Sequence, residues 1–104
     1  SILLNLISNS IKYSNPKVAP SITMKSIKVN RTIQLIFTDN GIGFDMEKVG
    51  DNIFGLHQSF HNNKESKGIG LYLVQSHMES LGGKIAVTSE VNIGTTFTLT
   101  FKDQ

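Results

Sequence analysis

Cysteine is absent from the chain, so neither a disulfide framework nor a thiolate metal site can be built from it. The sequence is therefore read as intracellular or indifferent to redox state. Long apolar runs are lacking too: none approaches the roughly 20 residues that a membrane-spanning helix needs, and no secretory leader is visible. Aromatic residues are few and charge of one sign is scarce, the balance being a net +2. A nucleic-acid binder ordinarily carries a basic stripe with interleaved aromatics. No such stripe exists here, so nucleic acid is not an expected partner, and any anionic ligand has to be held by local geometry.

What is there amounts to 104 residues, enough for one domain with one core, with no internal repeat and no low-complexity segment. Ser1-Ile2-Leu3-Leu4 already lies inside a helical pattern with only Ser1 available as a cap. That pattern reads as a single domain, residues 1–104, truncated at its N-terminus from a longer chain. Ile2 to about Ser14 predicts a helix, ended by Asn15-Pro16 because the residue before proline avoids helical angles. At about 100° per residue, Leu3, Leu4, Leu6, Ile7, Ser10 and Ile11 share one arc, and Asn5, Ser8, Asn9 and Lys12 share the other. The polar arc lacks the usual glutamates and arginines and looks like the wall of a site.

Pro16 to Pro20 is a loop. Ile22 to Val29 and Thr32 to Thr38 alternate as half-buried strands do, joined by a tight turn at Asn30-Arg31; a slip of phase near Lys25-Ser26 predicts a bulge. From Asp45 to about Lys67 periodicity is lost, as in a lid. Gly68 to about Leu81 predicts a second helix with Leu71, Val74, Met78 and Leu81 on one stripe and Gly82-Gly83 as its stop. Lys84 to Ser89 and Thr95 to Phe101 are two further strands around a turn at Asn92-Ile93-Gly94. The fold class is α+β: a two-layer sandwich with helices on one face of a mixed, mostly antiparallel sheet.

Three constellations carry chemistry. Asn5 and Asn9 are one helical turn apart and so are neighbours. They are either two solvated amides or neutral oxygen ligands for a hard cation such as magnesium, with Lys12 one turn further on for a phosphate. Asp39-Asn40-Gly41-Ile42-Gly43 follows a strand directly. It is either a turn or an acceptor-only carboxylate suited to an adenine amino group, beside glycines that let a flat base approach the backbone. Gly68-Ile69-Gly70 opens the second helix, either for close packing or to present free N–H groups to an anion. His57 and His61 are spaced four apart, as zinc ligands on a helix are, but no third ligand accompanies them and the zinc reading is set aside. His77 lies beside the apolar stripe.

Leu4-Asn5-Leu6-Ile7-Ser8-Asn9-Ser10-Ile11-Lys12-Tyr13-Ser14 closely resembles the N box of sensor histidine kinases. Asp39 to Gly43 resembles their G1 box, and Ile53-Phe54-Gly55-Leu56 with Phe60-His61 their F box. Lys67-Gly68-Ile69-Gly70-Leu71-Tyr72-Leu73-Val74 is similar to the G2 box, and Gly94-Thr95-Thr96-Phe97 to the closing motif. The resemblance spans essentially the whole chain in order. It implies the Bergerat-type ATP-binding fold of the GHKL superfamily, shared with gyrase, mismatch-repair and chaperone ATPases. It further implies ATP and Mg2+ as ligands, with Asn9 on the metal and Asn5 beside it, Lys12 on phosphate and Tyr13 against the nucleotide. Asp39 would hold the adenine amino group, with Gly41 and Gly43 shaping the base pocket and Thr95 reaching the adenine side. Gly68, Gly70 and Leu71 would offer N–H groups to the phosphates, and Phe54 and Phe60 would anchor the lid.

Two positions depart from the pattern. Ser66 stands where the G2 box usually begins with glycine, which would stiffen the lid hinge. Ser59 stands where an arginine often precedes the F-box phenylalanine, so that charge neutralisation would fall to Lys64, Lys67 or a neighbouring domain. In the related hydrolases the position of Asn5 holds a glutamate that activates water, and an amide cannot serve as that base. The resemblance thus implies a kinase module whose acceptor histidine lies on a separate dimerisation domain, with a response regulator downstream. None of the chain's own three histidines sits in a phosphoacceptor helix. A nucleotide-binding pseudokinase and a GHKL-type ATPase are the alternatives. The expected location is the cytoplasm, with no direct membrane contact by this domain and anchoring of the parent protein left open.

Overall fold

The structure, a computed structural model, describes residues 2–49, 53–54 and 70–102. Its elements are α1 (Ile2–Lys12), β1 (Ile22–Val29), β2 (Thr32–Asp39), α2 (Met46–Val49), α3 (Gly70–Ser80), β3 (Lys84–Glu90) and β4 (Gly94–Lys102). The strands form one sheet in the order β1-β2-β4-β3, and all three pairings are antiparallel. The two hairpins anticipated from the sequence, β1–β2 and β3–β4, are present. Their second strands meet at the centre, from Thr32 opposite Lys102 to Asp39 opposite Thr95. Asn30 and Asn92 take φ of 56° and 65° in the two hairpin turns, a conformation that asparagine tolerates better than most residues.

Directly opposed residues in a sheet share a face, so the register sorts every strand residue. Phe37, Leu35 and Asp39 of β2 stand in rows with Phe97, Leu99 and Thr95 of β4 and with Val87, Ile85 and Ser89 of β3. This face carries the core: Leu6 of α1 and Leu71, Val74 and Met78 of α3 are buried against Phe37, Phe97 and Leu99. The other face is polar and hydroxylated, with Thr23, Thr38, Thr96 and Thr88 forming a row across all four strands.

The helices stop as the sequence indicates. Beyond α3, Gly82 takes φ of +75°, its N–H donates to the Glu79 carbonyl at 3.0 Å, and Gly83 N–H donates to the Met78 carbonyl at 2.9 Å. This is the paired closure of a Schellman motif. Gly83 has a second reason to be glycine, since a Cβ there would meet the Thr100 carbonyl at 2.7 Å. After α1, the Asn15 side chain accepts from Lys17 N–H at 2.9 Å and turns the chain toward β1.

Four expectations need correction. Leu3, Leu4 and Ile11 are not core residues: Leu4 and Ile11 are each 63% exposed. The apolar arc of α1 is wider than the surface covering it, and only Leu6 and Ser10, one turn apart, are fully enclosed. Leu81 likewise leaves the stripe of α3, at 59% exposure, because it lies past the last helical residue. The bulge at Lys25-Ser26 is absent, the register running unbroken from Ile22 to Val29. β1 is an edge strand exposed along nearly its whole length, so its alternation was never under strong constraint. Finally, the predicted lid begins with a helix, α2. Asp45 caps it, accepting Glu47 N–H at 2.9 Å. Ile53 and Phe54 then return to the core, the Phe54 ring lying 6.3 Å from that of Phe97. Phe60, Lys64, Lys67 and the remainder of the expected lid lie outside the described residues. Among the described residues no helix is long and apolar enough to cross a membrane.

Candidate functional site

The site is organised around Asp39, the last residue of β2. The alternation that puts Phe37 in the core puts Asp39 on the same face one step on, and the residue is 9% exposed. A buried carboxylate is tolerated only when its oxygens are partnered. Here Oδ1 accepts from Gly41 N–H at 2.9 Å and from Thr95 N–H at 3.2 Å. Oδ2 accepts from the Ser10 hydroxyl at 2.8 Å. The donors come from three elements: α1, the loop after β2, and β4.

The Gly41–Gly43 loop is fixed from two sides. Ile42 N–H donates to the Tyr13 carbonyl at 3.0 Å, and its carbonyl accepts from Asn92 N–H at 2.7 Å. The loop thus bridges the end of α1 and the turn between β3 and β4. A Cβ on Gly41 would meet the Tyr13 carbonyl at 2.6 Å, and one on Gly43, whose φ is +64°, would collide with the Glu90 carbonyl. Both glycines are therefore required by contacts within the protein, apart from any ligand. Gly94 is held in the same way, its backbone packed on the Asp39 carbonyl at φ +142°.

Behind Thr95 lies a second polar cluster. The Ser89 hydroxyl donates to the Gly94 carbonyl at 2.9 Å and accepts Phe44 N–H at 2.9 Å. With its one proton so placed, it accepts from the Thr95 hydroxyl at 2.8 Å. Asn40 points the other way and ties down the preceding loop, accepting from Ser21 N–H at 2.8 Å and donating to the Ala19 carbonyl at 2.9 Å.

The structure therefore brings Tyr13, Asp39, Gly41, Gly43 and Thr95 into one bonded assembly. Asn5 and Asn9 are half-buried on α1, with Lys12 exposed in its last turn; Asn9 is tied to the assembly through its backbone, its carbonyl accepting from Tyr13 N–H at 3.1 Å. Leu71 is only 6% exposed and its side chain belongs to the core, so any ligand contact it makes is through its backbone. Gly70 is the first residue of α3. Among the described residues, apart from its chain neighbours and its own helix backbone, no heavy atom comes within 4 Å of its would-be Cβ, so the described residues supply no close packing at that glycine. Gly68, His57 and His61 lie outside the described residues, and His77 is exposed.

Sequence reasoning missed Ser10, Ser89 and Gly94 as parts of the assembly. A signal existed for the two serines: each is a polar residue at an inward position of an otherwise apolar pattern, and buried polar groups have partners. Gly94 carried no such mark. A cleft of about 420 Å³ reaches the Asp39 assembly, lined by Asp39, Ser89, Gly94 and Thr95 together with the threonine row Thr23, Thr38, Thr88 and Thr96. Asn5, Asn9 and Lys12 do not line it.

Solved structures share the architecture. A mycobacterial sensor histidine kinase, MprB, superposes with a TM-score of 0.82 at 19% identity, over 97% of this chain and 69% of that one. The catalytic domain of histidine kinase ThkA gives 0.78 at 21% identity, over 98% and 64%. In sequence, the chain is 33% identical over 104 residues to the histidine protein kinase SaeS of Staphylococcus epidermidis, covering 97% of this chain and 30% of that protein. The Staphylococcus aureus SaeS is 31% identical over 102 residues, covering 95% and 29%. The chain thus spans under a third of the length of these relatives. A sequence model for histidine kinase-, DNA gyrase B- and HSP90-like ATPases matches residues 1–104, and the chain belongs to that family.

Proposed function

We propose that the chain is the ATP-binding catalytic module of a sensor histidine kinase. It binds Mg-ATP and passes the terminal phosphoryl group to a histidine on a separate dimerisation domain, with a response regulator downstream and the cytoplasm as its place of action. The observation that carries this reading is the Asp39 carboxylate, buried, fixed by three donors and able only to accept. Its natural ligand is a donor such as the 6-amino group of adenine, with Thr95 on the adenine side and Tyr13 against the nucleotide. Gly41 and Gly43 shape that end of the pocket.

The phosphate end falls to Lys12 and to the N–H groups of Gly68, Gly70 and Leu71. Gly70, at the start of α3 and not packed against any other described element, suits an anion at a helix N-terminus. Asn9, with Asn5 a turn away, offers amide oxygens of the kind that suit magnesium in small number. When bound, the metal supplies charge neutralisation to the phosphates. Asn5 has no useful basicity, which favours transfer over hydrolysis, and phosphoryl transfer asks mainly for positioning and charge stabilisation.

Calorimetric titration of Asp39→Asn with ATP and GTP tests the base site. Loss of a hydrogen bond to a charged acceptor contributes roughly 1.5–3 kcal/mol, so ATP affinity should fall by about one to two orders of magnitude, together with the preference for ATP. Unchanged affinity in a folded variant removes Asp39 from the adenine site. Incubation with radiolabelled ATP and magnesium, with and without the parent's histidine-bearing domain, then separates the activities. Transfer only in the presence of that domain supports the kinase. Rapid phosphate release by the chain alone indicates an ATPase, and binding with no transfer at all a pseudokinase.

A further inference from the structure

Ser10 belongs to the apolar face of α1 by position, is 5% exposed, and gives its only proton to Asp39 Oδ2 at 2.8 Å. A carboxylate has about four acceptor directions. Gly41 and Thr95 occupy both on Oδ1, and Ser10 takes one on Oδ2, so that among the described residues a single direction is left. The backbone donors alone would grip one oxygen and leave Oδ2 with no described partner. Ser10 supplies the second point of attachment that fixes the carboxylate plane. Because a hydrogen bond to an ionised acceptor is stronger than a neutral one, the hydroxyl remains committed to Asp39, and its own lone pairs become a second acceptor beside Oδ2.

We propose that Ser10 is a positioning and base-selecting residue: with Asp39 it forms a two-acceptor edge that receives a purine 6-amino group and repels a 6-oxo group. The inference rests on the adenine reading of Asp39 and assigns part of that selectivity to α1. Without the hydroxyl the carboxylate is free to tilt, which weakens the bond to an amino group and relieves the clash with an oxo group.

The test is calorimetric titration of the wild-type chain, Ser10→Ala and Asp39→Asn with ADP and with inosine diphosphate, in the presence of magnesium. For Ser10→Ala, ADP affinity should fall about three- to tenfold, with inosine diphosphate affected less, so that the ADP preference narrows. A variant that merely loosened the fold would lower both affinities together and leave their ratio unchanged. Ser10→Cys, nearly isosteric but a weak donor, should narrow the ratio as well and serves if the alanine variant folds poorly. A ratio that is unchanged, or that widens because the hydroxyl had been turning to donate to the oxo group, overturns the proposal. If Asp39→Asn loses ADP affinity while Ser10→Ala keeps the wild-type ratio, only the role of Ser10 fails. If Asp39→Asn itself binds ADP normally, the adenine reading and the role of Ser10 fall together.

Discussion

Gly94 shows how a residue without a side chain can govern one that has chemistry. Its backbone lies against the Asp39 carbonyl at φ +142°, where L side chains are strained, and its own carbonyl accepts from Ser89. Its neighbour Thr95 supplies an N–H to Asp39 Oδ1. Gly94→Ala should therefore cost about 1–3 kcal/mol, the usual toll of a residue held in a sparsely populated backbone region, and should also weaken nucleotide binding by shifting the Thr95 donor. Urea unfolding followed by ADP titration checks both effects. A variant of wild-type stability would mean that the β3–β4 turn gives way without disturbing Asp39. Ser89 is a milder case: its hydroxyl serves a loop amide, a turn carbonyl and the Thr95 hydroxyl at once.

At the scale of elements, α1 divides its labour by turn. Leu6 is fully buried and Ser10 nearly so, while Leu4 and Ile11 are each 63% exposed. Leu6→Ala should destabilise by about 2–5 kcal/mol as a cavity-forming change in the core. Ile11→Ala should stay within about 0.5 kcal/mol, and equal losses in thermal or urea unfolding would restore the broad apolar face read from the sequence. The two long helices, both hairpins and the inward faces of β2 and β4 were legible, because period and turn residues report local geometry directly. Asp39 stood out because a carboxylate at a strand end beside two glycines is locally conspicuous. The distant partners of Asp39 were not legible: Ser10 is 29 positions away and Thr95 is 56, and no local pattern encodes which distant donors will meet a given acceptor. The helix α2 was missed although its cap, Asp45, was in view, since four residues are too few to show a period. The glycines of the Asp39–Gly43 segment were seen, but their main constraint, contact with Tyr13 and Glu90, depends on packing between elements far apart in the chain.

The molecule as a whole is built from two similar pieces. Each is a helix followed by a hairpin, α1-β1-β2 and α3-β3-β4. The second strands of the two hairpins pair at the centre of the sheet, and α1 packs beside α3. The sequence shows no repeat because the halves share a plan and not their residues: one contributes Ser10 and Asp39, the other Thr95 and Ser89. The Asp39 assembly sits on the seam, with donors from both sides. Each half can therefore be regarded as the partner the other needs in order to fold. If so, a chain severed between Phe54 and Gly70 should reassemble from its two fragments, recovering the far-ultraviolet signal of the intact protein only on mixing. Nucleotide should tighten that reassembly if, as proposed, it binds at the Asp39 assembly, whose residues come from both pieces.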